Sequence, residues 1–127
     1  MKYLGIDYGT KKVGLALSDD EGTLAFPHSV VRNDGTLREL IEELLEGEEI
    51  SAIVMGHSLG MDGEENSVME GAHGLKGTLE REGYIVHLEP EFLTTAQAKR
   101  ETPDTMADAS AAALILQTFL DKKRNAT

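Results

Sequence analysis

Asp7 stands where a predicted β-strand leaves the protein core. It follows the strand-forming residues Tyr3, Leu4 and Ile6, and Gly9 comes next as a turn residue. A carboxylate in this position is held rigidly with its oxygens directed into a cleft, which suits metal coordination, phosphate-ester chemistry or nucleotide binding. An aspartate that only caps a turn would leave the same signature in the sequence.

A second acid, Asp108, lies on the apolar stripe of the last predicted helix. It shares one helical face with Ala112, Ile115 and Phe119, the face that should pack against a sheet. Burial of an unpaired carboxylate is unfavourable, so we expect Asp108 to have a cation as partner. The alternative is a partly solvated aspartate favoured by the helix N-terminus. Asp104, four residues earlier, is more typical of an N-cap.

The third acid comes from the segment that directly follows the fifth predicted strand. Glu89 and Glu91 flank Pro90, which we expect to stop that strand. One of the two glutamates can then turn into the cleft at the carboxyl end of the sheet while the other faces water.

Three carboxylates at one end of a sheet, in a chain without cysteine, fit two hard divalent ions. In this arrangement Asp7 bridges the ions, and Glu91 and Asp108 each hold one. Such a pair of ions activates a water and stabilises the departing oxygen, which is the chemistry of phosphodiester hydrolysis.

The hydrophobic periodicity predicts the elements that must position these acids. Two strands form a hairpin bent at Gly9, a third follows over 23–31 with Pro27 at an edge or a bulge, and later strands cover 50–56 and 84–88. Helices are expected over 36–46, from 67 to a stop at Gly83, over 95–100 and over 106–123, with an irregular loop over 58–66. Apart from the short helical segment, the order is βββαβαβα, which indicates an α/β protein with a five-stranded mixed sheet and helices on both faces.

Length and composition indicate one domain over 1–127, with a frayed basic tail from about residue 122. The absence of cysteine excludes disulfides, thiolate metal sites and a cysteine nucleophile. The formal net charge of −11, from 23 acids and 12 bases, argues against nonspecific nucleic-acid binding through the overall field. It leaves room for a nuclease whose carboxylates are masked by bound metal. No apolar run reaches membrane-spanning length, so a cytoplasmic protein is expected. We also expect a monomer or a weak homodimer.

At several separated places the sequence resembles the YqgF/RuvX family of Holliday-junction-resolvase-like proteins, also called pre-16S rRNA nucleases. The match extends nearly from end to end. The segments that carry it are Gly5-Ile6-Asp7-Tyr8-Gly9-Thr10-Lys11 with Gly14, Val54-Met55-Gly56 with Leu59 and Met61-Asp62-Gly63, Glu91 with Leu93-Thr94-Thr95 and Ala98, and Asp108 with the alanine-rich run after it.

The resemblance implies an RNase H-like fold and a metal-dependent endonuclease that processes the 5′ end of the small-subunit rRNA precursor. Asp7, Glu91 and Asp108 fall on the family's acidic positions, and Mg²⁺ or Mn²⁺ is the expected cofactor. Nucleic acid is the expected partner, as structured precursor rRNA or as DNA. The candidate substrate contacts are the turn residues Gly9 and Thr10 and the bases Lys11, Lys12, Lys99 and Arg100.

The chain also departs from the family pattern. Where the family usually reads Asp-Glu-Arg-Leu-Thr-Thr, this chain has Pro90 and Phe92 in place of one acid and the arginine. Arginine is well shaped to bind phosphate, so a catalytically weak member that acts as a binding or assembly factor in ribosome maturation is an alternative. Resolution of branched DNA is another.

Two other classes of enzyme share parts of the pattern. Gly56-His57-Ser58-Leu59-Gly60 matches the nucleophile elbow of serine hydrolases, with His73 or His87 as a conceivable base. The elbow requires a helix at once, however, and turn signals follow here. The opening motif also resembles the phosphate-binding hairpin of actin-like ATPases, whose fold needs two such domains.

Overall fold

The predicted order of strands and helices is present in the computed structural model, which describes residues 1–92 and 107–126. The elements are β1 (Tyr3–Tyr8), β2 (Lys12–Ser18), β3 (Ala25–Arg32), α1 (Leu37–Gly47), β4 (Ala52–Leu59), α2 (Met69–Arg81), β5 (Ile85–Phe92) and α3 (Ala107–Asn125). The short helix predicted over 95–100 lies outside the described residues.

The five strands form one mixed sheet in the order β3-β2-β1-β4-β5. The first three strands pair antiparallel, whereas β4 pairs parallel with β1 and with β5. Short connections link the antiparallel strands, and the helices α1 and α2 lie in the longer connections that lead into β4 and β5. The predicted mixed sheet is therefore confirmed.

Each face of the sheet carries its own hydrophobic cluster. Leu4 and Ile6 of β1 belong to the larger cluster, which also contains buried residues of α1 and α2. Tyr3 belongs to the cluster on the opposite face, which is built with α3. Because side chains alternate along a strand, Asp7 shares the α3 face with Tyr3. Helices on both faces were predicted, and both faces are covered.

Glycines on three neighbouring strands let α3 lie close to the sheet. A Cβ on Gly14 would lie 2.0 Å from the Asp108 carbonyl oxygen, and one on Gly5 would lie 3.0 Å from the Ala112 carbonyl oxygen. A Cβ on Gly56 would lie 2.8 Å from Cδ1 of Ile115. The helix can therefore lie this close to strands β2, β1 and β4 only because these three positions are glycine.

Both edge strands contain a proline. Pro27 lies in β3, where the pairing with β2 shifts register between Leu15 and Ala16, as predicted. Pro90 was expected to end the fifth strand, but β5 continues to Phe92, with Pro90 opposite His57. An edge strand tolerates proline because the missing N–H can fall on its unpaired side.

The C-terminal end of the described chain is helical. Helix α3 continues to Asn125, beyond the expected start of a tail at residue 122. Lys122 forms an ion pair with Glu89, and Lys123 hydrogen-bonds the Tyr3 hydroxyl. Within residues 1–92 and 107–126, none of the helices combines the length and the apolarity needed to cross a membrane.

The close contact at Gly14 predicts the effect of a single added methyl group. Gly14→Ala should lower the free energy of unfolding by about 1–3 kcal/mol, because the new Cβ overlaps the backbone of Asp108 and α3 must move. Gly74→Ala is the matched control: nothing lies within 4 Å of its Cβ, and removal of a helical glycine should stabilise the protein by about 0.5–1 kcal/mol. Urea denaturation of both variants measures the difference, and equal stabilities would contradict this packing.

Candidate active site

Asp7 lies near the end of β1, on the face covered by α3. It pairs in register with Gly14 of β2, and its side chain is only partly exposed. Within the described part of the chain, its carboxylate has neither an ion pair nor a hydrogen bond. Asp7 is thus a half-buried acid, and none of the cations in residues 1–92 and 107–126 is paired with it.

Asp108 is brought to Asp7 by the first turn of α3. Its carbonyl oxygen lies directly over Gly14, the residue opposite Asp7. Ala112 and Ile115 from the same stripe are buried against the sheet, and Phe119 packs at its edge. The predicted orientation of this stripe is therefore correct, and it places the Asp108 side chain at the carboxyl end of β1.

Glu91 approaches the same place from β5. It pairs with Ser58 of β4, and its Oε2 atom lies 3.3 Å from the position that a Cβ on Gly56 would take. The absence of a side chain at Gly56 thus leaves room for the Glu91 carboxylate on the α3 face of the sheet.

The second glutamate of this segment does not face water as expected. Glu89 is 4% exposed, and its Oε2 accepts a hydrogen bond from Nζ of Lys122 at 2.6 Å. The two glutamates are two residues apart on a continuous strand, so both point to the α3 face. Glu89 lies deeper under the helix, where a lysine of α3 neutralises it, and Glu91 is left near the end of the strand.

The charges of Glu91 and Asp108 act on the Asp7 carboxyl group. Burial, together with the neighbouring charges of Glu91 and Asp108, raises the pKa of Asp7 from 3.8 to about 7. Burial also raises the pKa of Glu91. Burial and neighbouring negative charge both disfavour the ionised forms of these acids. A cation bound among the carboxylates would therefore stabilise the folded protein.

The donor set fits hard divalent cations. Carboxylate oxygens are the ligands that Mg²⁺ and Mn²⁺ prefer, and Mg²⁺ is commonly held by one or two carboxylates together with waters and substrate phosphates. Across the described ranges, no three His, Cys, Asp or Glu side chains converge closely enough to hold one ion.

The turn between β1 and β2 lies beside these acids and carries four of the predicted substrate contacts. Thr10, Lys11 and Lys12 are exposed there. A Cβ on Gly9 would lie 2.5 Å from the Lys12 carbonyl oxygen, so only glycine fits. The other two predicted contacts, Lys99 and Arg100, lie outside the described residues.

Asn33 holds the turn between β1 and β2 in place. This residue was not identified from the sequence. Its Nδ2 donates to the Gly9 carbonyl at 2.8 Å, and its backbone N–H donates to the Lys11 carbonyl at 2.9 Å. The only sequence signal was an Asn-Asp-Gly turn after the third strand, which says nothing about its partner.

The geometry around Ser58 does not favour a serine nucleophile. Ser58 lies within β4 rather than at a strand-to-helix turn. Nε2 of His73 contacts Oε2 of Glu65 at 2.8 Å, and the His87 ring lies 4.8 Å from that of Phe119. Both histidines are thus engaged with other residues.

Comparison with known proteins points to one family. The model of the RuvX family, described as Holliday junction resolvase, matches residues 1–122. Proteins named "Putative pre-16S rRNA nuclease" from Maridesulfovibrio salexigens and Anaeromyxobacter sp. are 35% and 37% identical to this chain. The alignments cover 94% and 95% of this chain and 98% and 97% of theirs.

Solved structures of low sequence identity share the fold. Thermus thermophilus RuvC superimposes with a TM-score of 0.65 at 16% identity, covering 100% of this chain and 98% of that one. The Holliday junction resolvase of fowlpox virus gives a TM-score of 0.57 at 11% identity, covering 98% and 99%. These likenesses bear out the expected RNase H-like fold.

The raised pKa of Asp7 predicts how pH affects the stability of the metal-free protein. Between pH 3.8 and about 7, the folded state retains a proton that the unfolded chain has lost. This group therefore lowers the free energy of unfolding as the pH rises through that range, by up to about 1.4 kcal/mol per pH unit. Asp7→Asn should be more stable than wild type at about pH 8 and similar near pH 4. Denaturation in EDTA measures this; the control is Asp20→Asn, at the opposite end of the sheet.

Divalent cations should stabilise the folded protein through the same acids. At a free Mg²⁺ or Mn²⁺ concentration 100 times the dissociation constant, the gain is about 2.7 kcal/mol. It should be absent in Asp7→Asn and should weaken below about pH 7, because protons compete for Asp7. Thermal unfolding with and without the ions tests this, and equal stabilisation of wild type and Asp7→Asn would exclude Asp7 as a ligand.

Proposed function

Because this chain belongs to the RuvX family, we propose that it is a metal-dependent nuclease that hydrolyses phosphodiester bonds. Its substrate is the precursor of small-subunit rRNA, processed at the 5′ end. The names of its relatives support the substrate, and the grouping of Asp7, Glu91 and Asp108 supports the chemistry.

The observation that carries this proposal is the state of Asp7. Burial, with a further contribution from two acidic neighbours, raises its pKa to about 7, and no described residue offsets this with an ion pair. A purely structural site would be more stable with an apolar residue or a paired acid at this position. An acid kept under such repulsion is typical of a site that receives positive charge from a ligand.

The chain's own residues have separate tasks in this reaction. Asp7, Glu91 and Asp108 would hold Mg²⁺ or Mn²⁺ through their carboxylate oxygens. When bound, these ions supply Lewis acidity that lowers the pKa of the attacking water and stabilises the departing oxygen. The glycine contacts hold Asp108 and Glu91 on rigid elements, and the exposed Lys11 and Lys12 attract the phosphates of the strand.

A protein with a formal net charge of −11 can bind nucleic acid if the charge is positive at the site itself. Three carboxylates would repel a phosphate, but two bound divalent ions reverse the sign of the charge at this end of the sheet. Nucleic acid would then be attracted to the cleft alone, and the remaining acidic surface would discourage nonspecific binding.

Branched DNA is a second candidate substrate. The family description and the likeness to two resolvases favour it, although the structural likeness concerns the fold alone. It would use the same carboxylates and ions, so the two candidates differ only in the nucleic acid that they bind.

A cleavage assay with matched variants tests the proposal. Purified protein is incubated with a labelled rRNA precursor 5′ end and with a four-way DNA junction, each with Mg²⁺, Mn²⁺ or EDTA. We expect RNA cleavage that EDTA abolishes. Asp7→Asn, Glu91→Gln and Asp108→Asn should each lower the rate by about 100-fold or more, which is at least about 2.7 kcal/mol of transition-state stabilisation.

Asp20→Asn removes an acid far from the site and should cleave as wild type does. Undiminished cleavage by Asp7→Asn would overturn the assignment of the site. Cleavage of the DNA junction but not of the RNA would show that branched DNA is the substrate. Binding of RNA without cleavage would favour an assembly factor.

A further inference from the structure

We propose that Lys12 and Arg32 together bind a backbone phosphate of the nucleic acid, beside the three carboxylates. Arg32 is a new member of the binding surface. The inference rests on the proposed nuclease function, because a polyanionic strand must pass this end of the sheet.

The register of the sheet places the two cations side by side. Lys12 begins β2 and Arg32 ends β3, and the two residues are directly paired. Val13 and Val31 next to them pack with the hydrophobic cluster on the α1 and α2 face. Alternation along the strands therefore directs Lys12 and Arg32 to the other face, the face of Asp7.

This pairing is unfavourable in the free protein. Like charges directly opposite each other on an antiparallel pair are destabilising. Among the described residues, neither Lys12 nor Arg32 forms an ion pair, whereas Lys2, Arg38, Lys76 and Lys122 all do. An anion bound between Lys12 and Arg32 would relieve their repulsion.

The nearest acid along the chain does not neutralise Arg32. The Asp34 carboxylate accepts hydrogen bonds from the backbone N–H and the hydroxyl of Thr36, at 2.9 and 2.6 Å. These bonds are the main reason why the pKa of Asp34 is lowered, with a smaller contribution from Arg32. The guanidinium of Arg32 remains exposed to solvent.

The location suits a phosphate next to the reacting one. Gly14 of β2 is the partner of Asp7, and Lys12 precedes Gly14 by two residues. This separation is about 7 Å along the strand. That is the scale of one nucleotide step, so a strand that crosses β3 at its end would meet this pair just before the acids. Arginine offers a planar donor group that fits phosphate.

Salt-dependent RNA binding tests the pair independently of cleavage. Affinity for a fluorescein-labelled single-stranded RNA is measured at one fixed Ca²⁺ concentration, which masks the three carboxylates, over a series of KCl concentrations. Lys12→Gln and Arg32→Gln should each weaken binding several-fold and reduce the slope of log K against log salt by about 0.7, and the double variant by about 1.4. Arg32→Lys keeps the charge and should keep most of the slope.

Two controls separate this site from general electrostatics and from misfolding. Lys76→Gln removes one positive charge from α2 on the opposite face and should leave the slope unchanged. Thermal unfolding should show that Lys12→Gln and Arg32→Gln melt at the same or a higher temperature than wild type, because a repulsion is removed.

A wild-type slope in the double variant, or an equal loss in Lys76→Gln, would overturn the inference. So would the absence of RNA binding by the wild type. If the slopes change as expected while the cleavage assay fails, the phosphate site stands and the nuclease assignment is wrong.

Discussion

The close packing of one helix on the centre of the sheet is the constraint on which the site depends. Helix α3 can lie over β1, β2 and β4 only because Gly5, Gly14 and Gly56 have no side chains there. The alanine-rich stripe of α3 completes the fit from the other side. Packing of this kind is strongly favourable and hard to deform, so it can hold Asp108 near two other acids despite their mutual repulsion.

Much of the fold follows from the hydrophobic pattern. Alternation in the first two strands and the helical periodicity of 36–46 identified elements whose type the structure bears out. Asp7 and Asp108 were identifiable as candidates because each interrupts an apolar pattern, and an acid in such a place needs a reason. Neither observation needed knowledge of which strands are neighbours.

The sequence could not separate the roles of the two glutamates around Pro90. Proline suggested the end of a strand, but whether it ends one depends on the strand's place at the edge of the sheet. On the continuous strand, Glu89 and Glu91 share a face and differ only in depth. Lys122, which neutralises Glu89, is 33 residues away in the chain. A pattern that extends over a few residues contains no information about such a partner.

Arg32 and Asn33 were missed for a related reason. Both stand at the end of an exposed edge strand, where polar residues are ordinary. Arg32 becomes notable only when the register sets it opposite Lys12, and Asn33 only when its amide reaches the Gly9 carbonyl. The roles proposed for these residues depend on pairing between strands, which composition does not specify.

The prolines of β3 and β5 affect how molecules of this protein meet one another. An exposed strand edge is a row of free hydrogen-bonding groups that invites strand addition by another chain, and proline interrupts such a row. Pro27 lies on one outer strand of the described sheet and Pro90 on the other. Intermolecular sheet extension, a common route to aggregation, is thus opposed at both borders of this small acidic protein.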